Sequence, residues 1–331
     1  MKFTGKGYLI CLAAMVLLVG ILAAGCTQPA TPPVTPTPAT TTAAATPAPV
    51  AHSPKVLIIA TTTSLYDTGL WNAIETYYEN KTGIDLRITS QGTGQSIQVA
   101  TRGDCDLLAV HSPSQEKAFI DKGLGMNQRC FSYNYFLIVG PENDPAGIRN
   151  LSPEAAFTKI RLLGTNTTPG VSFASRGDNS GTHSAEQNIW KAAKYNYTQD
   201  VVNSGPWYLS VGKGMGETLT LASQKGAYTL TDEGTFLAFK SNLNLVPLVT
   251  QGTTLLNRYS VIAVNPATTN PSVNLVEADK FINWIISDEG KDFVGSYGVD
   301  KYGKSLFTPL TQDVCQAPPF NCVCTGDVTP V

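Results

Sequence analysis

The sequence predicts an α/β protein of two lobes, each a mixed, mostly parallel sheet flanked by helices, with two crossing strands as the hinge. Two observations predict this fold. Short β-rich runs alternate with amphipathic helical stretches along the chain. Two continuous apolar runs of similar character, at 136–139 and 260–264, stand where the chain would leave the first lobe and return to it. Alternation at this rhythm is typical of parallel sheets covered by helices.

The first block of the chain carries three strand–helix pairs. Strands are predicted at 55–60, 86–88 and 107–110, and helices at 67–81, 95–101 and 115–122. The helix at 67–81 has apolar residues at 70, 71, 74, 77 and 78, which form one helical stripe, and Gly83 closes it.

The second block repeats the pattern, and the chain then returns. The sequence pattern of this block predicts a strand at 171–174, a helix through 189–193, a strand at 227–230 and a helix capped by Asp232. Helices at 274–286 and through Phe293 follow the second apolar run. We therefore expect lobe one to comprise 55–139 and 255–313, lobe two 140–254, and a cysteine-containing tail 314–331.

The first 54 residues indicate export. A basic start, an apolar core and small residues before Cys26 are typical of a signal segment over 1–25. Ala-Ala-Gly before Cys26 resembles a lipobox, which predicts lipidation of that cysteine; the alternatives are a plain signal peptide or an uncleaved anchor. Residues 26–54 are rich in Thr, Pro and Ala without a charge, as in an extended tether. No later segment is long and apolar enough to span a bilayer.

Charge and cysteine content narrow the function classes. The formal net charge is −2 and the sequence has no basic stripe, so nucleic acid is not an expected partner.

Besides Cys11 and Cys26 the chain has five cysteines, at 105, 130, 315, 322 and 324. The last three predict a disulfide-closed tail, with a metal-binding tail as the alternative and the pairing left open.

Polar clusters follow the predicted strands at 61–64, 92–95, 111–112 and 175–182. The carboxyl ends of parallel strands meet at one edge of a sheet, where helix N-termini present free N–H groups. Hydroxyls, glycine amides and one cation, Arg176, would suit a small tetrahedral oxyanion. The alternative is that each cluster only caps a helix. Asp178 is expected to orient Arg176 or cap a turn.

The stretch GDNSG at 177–181 invites a hydrolase interpretation, which the spacing does not support. Ser180 is not at the centre of a G-x-S-x-G elbow, and His183 lies too close in sequence to serve it well as a base. His183 is expected to be a surface or capping histidine. The GKGMG stretch at 212–216 has the wrong spacing for a nucleotide loop. We expect no catalytic residue and no cofactor.

Together the motifs resemble one family. They are TTTS at 61–64, GTGQ at 92–95, VHSP at 110–113, SRGDNSGTH at 175–183, GMG at 214–216 and AYTLTD at 227–232. In this order, over about residues 55–311, they resemble the tungstate-binding proteins of tungstate ABC transporters, the TupA type. Asn179 stands where the family usually has Asp, and Cys105 where it commonly has Ala. The tail from 312 lies outside the resemblance.

The resemblance implies a type II periplasmic-binding-protein fold that closes on tungstate and delivers it to an ABC permease and its ATPase. Carried over by motif, the oxyanion-binding residues would be Thr62, Thr63, Ser64, Thr93 and Ser112 from lobe one, and Arg176, Ser180, Gly181 and Thr182 from lobe two. We expect a monomer, and the signal segment, lipid site and tether together predict that lipid on Cys26 holds it at the outer face of the cytoplasmic membrane. The alternatives are a molybdate or other oxyanion receptor, a tethered sensor, and an exported hydrolase using Ser180.

Overall fold

The computed structural model describes residues 55–329, and its first part alternates strands with helices. The predicted signal segment, Cys26 and the tether lie outside the described residues. The elements are β1 (Val56–Thr62), α1 (Thr63–Asp67), α2 (Leu70–Thr82), β2 (Asp85–Gln91), α3 (Thr93–Thr101), β3 (Leu107–Val110), α4 (Pro113–Asp121) and β4 (Gly125–Gly140). Strand β1 pairs in parallel with β2 on one side and with β3 on the other, as the sequence predicts.

The middle of the chain builds a second sheet. Its elements are α5 (Pro153–Thr165), β5 (Phe173–Ser175), α6 (Gly181–Ala192), a π-helical turn (Tyr197–Val202), β6 (Tyr208–Ser210), α7 (Met215–Lys225), β7 (Tyr228–Asp232), α8 (Glu233–Phe239) and β8 (Val246–Val249). Strand β5 lies parallel to β6 and β7, while β7 and β8 are antiparallel to the end of β4.

The last part returns to the first sheet. It comprises β9 (Leu256–Val264), α9 (Leu275–Ile286), α10 (Asp288–Ser296), α11 (Val299–Tyr302), β10 (Thr308–Pro309) and α12 (Gln312–Gln316). Strand β9 lies between β3 and β4, antiparallel to both, and β10 pairs with β4. Each sheet is therefore mixed, and the polypeptide enters the first sheet from both ends.

Both faces of each sheet are buried. Along β4, Phe136 and Ile138 enter one hydrophobic cluster while Leu137 and Val139 enter another. Side chains of a strand point alternately to opposite faces, so a continuous apolar run implies helices on both sides. Strand β1 alternates between two clusters of the first lobe in the same way.

Strand β4 is much longer than the predicted strand at 136–139. Its first half, from Gly125, pairs with β9 and has two register shifts, between Met126 and Arg129 and between Cys130 and Ser132. Such bulges interrupt the two-residue alternation, which is why the sequence pattern hides this half. Strand β4 crosses between the sheets as predicted, whereas β9 pairs with β3 and β4 in the first sheet, and residues 250–255 make the return connection.

The tail closes against the first sheet. A disulfide joins Cys315 to Cys324, which confirms the predicted disulfide-closed tail. Cys315 and Cys324 pack with Cys130 and Leu310, and Cys322 remains a free thiol. Across residues 55–329, no helix has both the length and the apolar character needed to cross a membrane.

Candidate functional site

The predicted residues of lobe one lie at one edge of the first sheet. Thr62 ends β1, and Thr63 and Ser64 open α1. Thr93 opens α3 after β2, and Ser112 lies between β3 and α4. Because β1, β2 and β3 are parallel, all these positions share the carboxyl edge.

The predicted residues of lobe two lie on one loop and the helix that it enters. Arg176 follows β5 directly, Ser180 is the N-cap of α6, and Gly181 and Thr182 form its first turn. The loop bends through left-handed backbone at Gly177 and Asn179. Such conformations favour glycine and asparagine, which explains the composition of this stretch.

The two groups meet across the cleft. A guanidinium nitrogen of Arg176, Nη1, donates to Ser64 Oγ at 3.4 Å. The backbone N–H of Gly94 donates to the carbonyl of Asn179 at 3.2 Å. A Cβ added at Gly181 would lie 2.7 Å from the ring of His111. The lobes are thus closed on each other at the predicted site.

Four of the nine predicted residues carry a buried hydroxyl without a hydrogen-bond partner among residues 55–329. They are Thr63, Thr93, Ser112 and Thr182. Buried polar groups are paired in the great majority of cases, and leaving one unpaired costs about 1–3 kcal/mol. Hydroxyls from both lobes with free protons are suitable donors for an acceptor-only ligand placed between them.

Three further hydroxyls already accept one hydrogen bond each. Thr62 Oγ1 caps α1 by accepting from Leu65 N at 3.4 Å, and Ser180 Oγ caps α6 by accepting from His183 N at 3.2 Å. Ser64 Oγ accepts from Arg176. A hydroxyl that accepts keeps its own proton to donate, so capping and anion binding are compatible.

Arg176 is held rigidly from two sides. The residue is 2% exposed, and its guanidinium pairs with the carboxylate of Asp178 and donates from Nε to the carbonyl of Lys213 at 3.2 Å. The other oxygen of Asp178 accepts from Ser180 N at 3.2 Å. Asp178 therefore both orients Arg176 and caps the turn, the two roles expected from the sequence. A buried guanidinium needs such a partner to offset its desolvation.

His183 is buried and caps the Arg176 loop, so of the two expected roles, surface or capping, it has the second. Its Nδ1 accepts from Asn179 N at 2.9 Å, and its Nε2 lies 2.6 Å from the Tyr197 hydroxyl. Both ring nitrogens are thus occupied. Burial lowers the pKa of His183. Because neither nitrogen contacts the Ser180 hydroxyl, this geometry does not activate Ser180 as a nucleophile.

Glu186 is a buried group behind the Arg176 loop that sequence reasoning missed. It accepts hydrogen bonds from Ser175 at 2.6 Å, from Tyr208 at 2.7 Å and from Trp190 at 3.1 Å. Burial nevertheless raises the pKa of Glu186 to about 7. Glu186 lies five positions after the start of helix α6, and the sequence pattern of that helix does not predict that this glutamate is buried.

His111 belongs to one of the predicted polar clusters but is not among the predicted site residues. It is 3% exposed, and its Nδ1 lies 2.9 Å from Asn257 Oδ1. Burial lowers the pKa of His111 to about 4, and Arg176 adds to the effect. A cavity of about 300 Å³ beside it is also lined by Ser112 and Gly181. No three metal-binding side chains of residues 55–329 cluster in one place.

A family model and a curated relative both match this chain and indicate the same kind of protein. The model of the PBP (periplasmic-binding-protein) superfamily domain matches residues 36–289. The tungstate-binding protein TupA of Peptoclostridium acidaminophilum is 37% identical over 253 residues, which are 76% of this chain and 85% of that protein.

Two solved structures extend the likeness to the fold. The tungstate-binding protein TupA from Desulfovibrio alaskensis is 39% identical with a TM-score of 0.62, over 78% of this chain and 99% of that one. The tungstate ABC transporter structure from Geobacter sulfurreducens is 37% identical with a TM-score of 0.64. The match covers 74% of this chain and 100% of that one. The chain therefore belongs to the PBP superfamily and, within it, to the TupA family.

Proposed function

We propose that this protein is the extracytoplasmic binding component of an ABC importer and that it binds tungstate between its lobes. The observation that carries the proposal is the set of four buried, unpartnered hydroxyls at the closed cleft, beside the buried guanidinium of Arg176. A dianion with four acceptor oxygens satisfies such donors. The names of the relatives favour tungstate over molybdate, sulfate or phosphate.

The proposed ligand set is Thr62, Thr63, Ser64, Thr93, Ser112, Arg176, Ser180, Gly181 and Thr182. Lobe one would comprise 55–139 and 255–313 and lobe two 140–254. The closed form would engage the permease, whose ATPase drives import. The protein would act as a monomer without catalytic activity or a cofactor, and a lipid on Cys26 would hold it at the membrane.

Ligand identity is tested by melting the purified protein with tungstate, molybdate, sulfate and phosphate. A ligand that binds only the folded state adds about 2.7 kcal/mol at a hundredfold excess over its dissociation constant. We expect the largest rise with tungstate. A well-folded protein whose melting temperature none of the four anions changes would refute the proposed function.

The site is tested by Arg176→Ala. Removing a charge-assisted hydrogen bond costs about 1.5–3 kcal/mol, so tungstate affinity should fall roughly 10- to 150-fold. Arg102→Ala is the matched control, since the Arg102 side chain is 59% exposed in a surface ion pair with Asp104. Equal affinities of the two variants would show that the cleft is not the site.

Two further variants separate the alternatives. Ser180→Ala removes a helix cap and one donor, so a binding protein loses only part of its affinity, whereas a serine hydrolase loses all turnover. Cys26→Ser should move the full-length protein from the detergent phase to the aqueous phase in a partitioning assay. Aqueous behaviour of the unaltered protein would contradict the lipid anchor.

A further inference from the structure

The protonation pattern of His111 is fixed by its neighbours. Asn257 Nδ2 donates to Asn134 Oδ1 at 2.9 Å and to the Tyr259 hydroxyl at 2.7 Å, so the amide oxygen of Asn257 is left to accept. That oxygen faces His111 Nδ1 at 2.9 Å. The proton of neutral His111 therefore sits on Nδ1, and Nε2 carries a bare lone pair.

His111 is buried, with 3% of its surface exposed, and yet its Nε2 has no hydrogen-bond partner among residues 55–329. The adjacent Ser112 hydroxyl, in a residue 1% exposed, is unpartnered as well. The ring lies against Gly181, whose added Cβ would be 2.9 Å from Nε2. Nε2 of His111 thus lies against the first turn of α6, and Ser112, a residue of the proposed anion site, lines the same cavity as Gly181.

Charged groups approach this ring from three elements. The loop before α6 brings Arg176, which opposes protonation of His111, and Asp178, which favours it. From α4, Glu116 accepts from the backbone N–H of the adjacent Ser112 at 2.8 Å, and from β9, Arg258 lines the same cavity as His111; the two pair with each other at 3.6 Å. Burial outweighs these effects and keeps His111 neutral at pH 7 while the cleft is empty.

A dianion in the cleft reverses this balance. Its oxygens would be repelled by the lone pair on Nε2 and attracted by an N–H at the same atom. We propose that His111 belongs to the anion site and takes up a proton from solvent on Nε2 when the oxyanion binds, which it then donates to the anion as a hydrogen bond. This inference rests on the proposed function.

The proposal fixes the direction of the pH dependence. If the bound state holds one more proton than the empty state, affinity rises as pH falls, by up to tenfold per pH unit. This pH dependence of the affinity requires that His111 be protonated in the bound form and neutral in the empty form. The empty form is neutral above a pH of about 4. The effect disappears once the pH exceeds the pKa of His111 in the complex.

Calorimetry measures the proton directly. Tungstate is titrated into the protein at pH 6.5–8.5 in two buffers of different ionisation enthalpy, which counts the protons taken up. We expect an uptake of up to one proton in the unaltered protein and none in His111→Gln. His183→Gln is the matched control and should keep the uptake, because both ring nitrogens of His183 already have partners.

The outcomes are separable. Tight binding without proton uptake overturns the role of His111 and leaves the proposed function standing, whereas absence of tungstate binding refutes both. Uptake that persists in His111→Gln assigns the proton to another group and also overturns the inference. If that variant does not fold, nitrogen NMR of the unaltered protein decides: Nε2 of His111 must change from a lone pair to N–H on adding tungstate.

Discussion

Replacing Gly181 by alanine should impair lobe closure without impairing the fold of either lobe. The backbone of Gly181 is not in the left-handed region, and the residue opens α6, where alanine is acceptable. The added Cβ, however, would lie 2.7 Å from Cε1 and Nδ1 of His111 and 2.9 Å from its Nε2. Carbon atoms do not approach a ring so closely, and the hydrogen bond to Asn257 holds that ring in place.

The expected loss follows from the cost of overpacking. Inserting a methyl group into a closely packed contact costs about 1–3 kcal/mol. Because this contact joins the two lobes, the cost falls on the closed, ligand-binding form, and tungstate affinity should drop about 5- to 150-fold. Titration calorimetry measures the affinity, and a melting curve without ligand should show no loss of stability.

Gly214→Ala is the matched control. Gly214 also precedes a helix at the cleft, but its added Cβ would lie 3.5 Å from Glu217 and 3.6 Å from Thr63, which is ordinary contact. In a His111→Ala background the Gly181→Ala change should cost little, since the ring is gone. Wild-type affinity for Gly181→Ala alone would refute the closed geometry on which the site rests.

Two further predictions concern stability. Burial raises the pKa of Glu186 to about 7 from an ordinary value of 4.5, so the folded state holds this proton longer than the unfolded state and the free energy of unfolding falls as pH rises from 4.5 to 7. The difference amounts to about 3 kcal/mol, which Glu186→Gln should remove in urea unfolding followed across this pH range; identical pH profiles would contradict the assignment. Cys315→Ser opens a disulfide of sequence separation 9 and should lower the free energy of unfolding by up to about 2.6 kcal/mol. The reduced wild-type protein is the control, and Cys315→Ser should have the same melting temperature as this control. If Cys315→Ser instead melted at the temperature of the oxidised wild type, the bridge would contribute nothing to stability.

Local patterns allowed much of the fold and of the candidate site to be predicted. Strand ends, helix starts and the pairing of Arg176 with Asp178 depend on residues near one another in the sequence, so periodicity and capping residues reveal them. Helices α5 and α7 were not predicted, although Ser152 caps α5 and Glu217 bonds the N-cap amide of α7. These are local signals that the sequence reasoning overlooked.

The rest depended on contacts between distant residues. His111 meets Asn257, 146 positions away, and only the folded chain reveals that this bond leaves Nε2 bare. Likewise, α6 turns Glu186 toward Tyr208, 22 residues further on, and nothing in the local pattern distinguishes it from a surface glutamate. The bulges of β4 conceal its first half for a similar reason, because a bulge is defined by the partner strand.

Neutral hydroxyls at the cleft also explain how binding would drive closure. In an open form water satisfies Thr63, Thr93, Ser112 and Thr182, whereas the closed form without ligand leaves all four unpaired. At about 1–3 kcal/mol each, they would disfavour the empty closed form by about 4–12 kcal/mol. Shifting a two-state equilibrium from 1:99 to 99:1 requires about 5.5 kcal/mol of differential binding, which the four bonds to an anion can supply.

Small-angle scattering tests this coupling directly. The protein without ligand should have a larger radius of gyration than the closed structure gives, and saturating tungstate should reduce it to the closed value. Exchanging Thr93 and Thr182 together for valine removes two of the unpaired hydroxyls while keeping the side-chain shape. This double variant should close more readily without ligand and bind tungstate less tightly. A radius equal to the closed value both with and without tungstate would show that the lobes of the unaltered protein are closed already, and that the hydroxyls do not control closure.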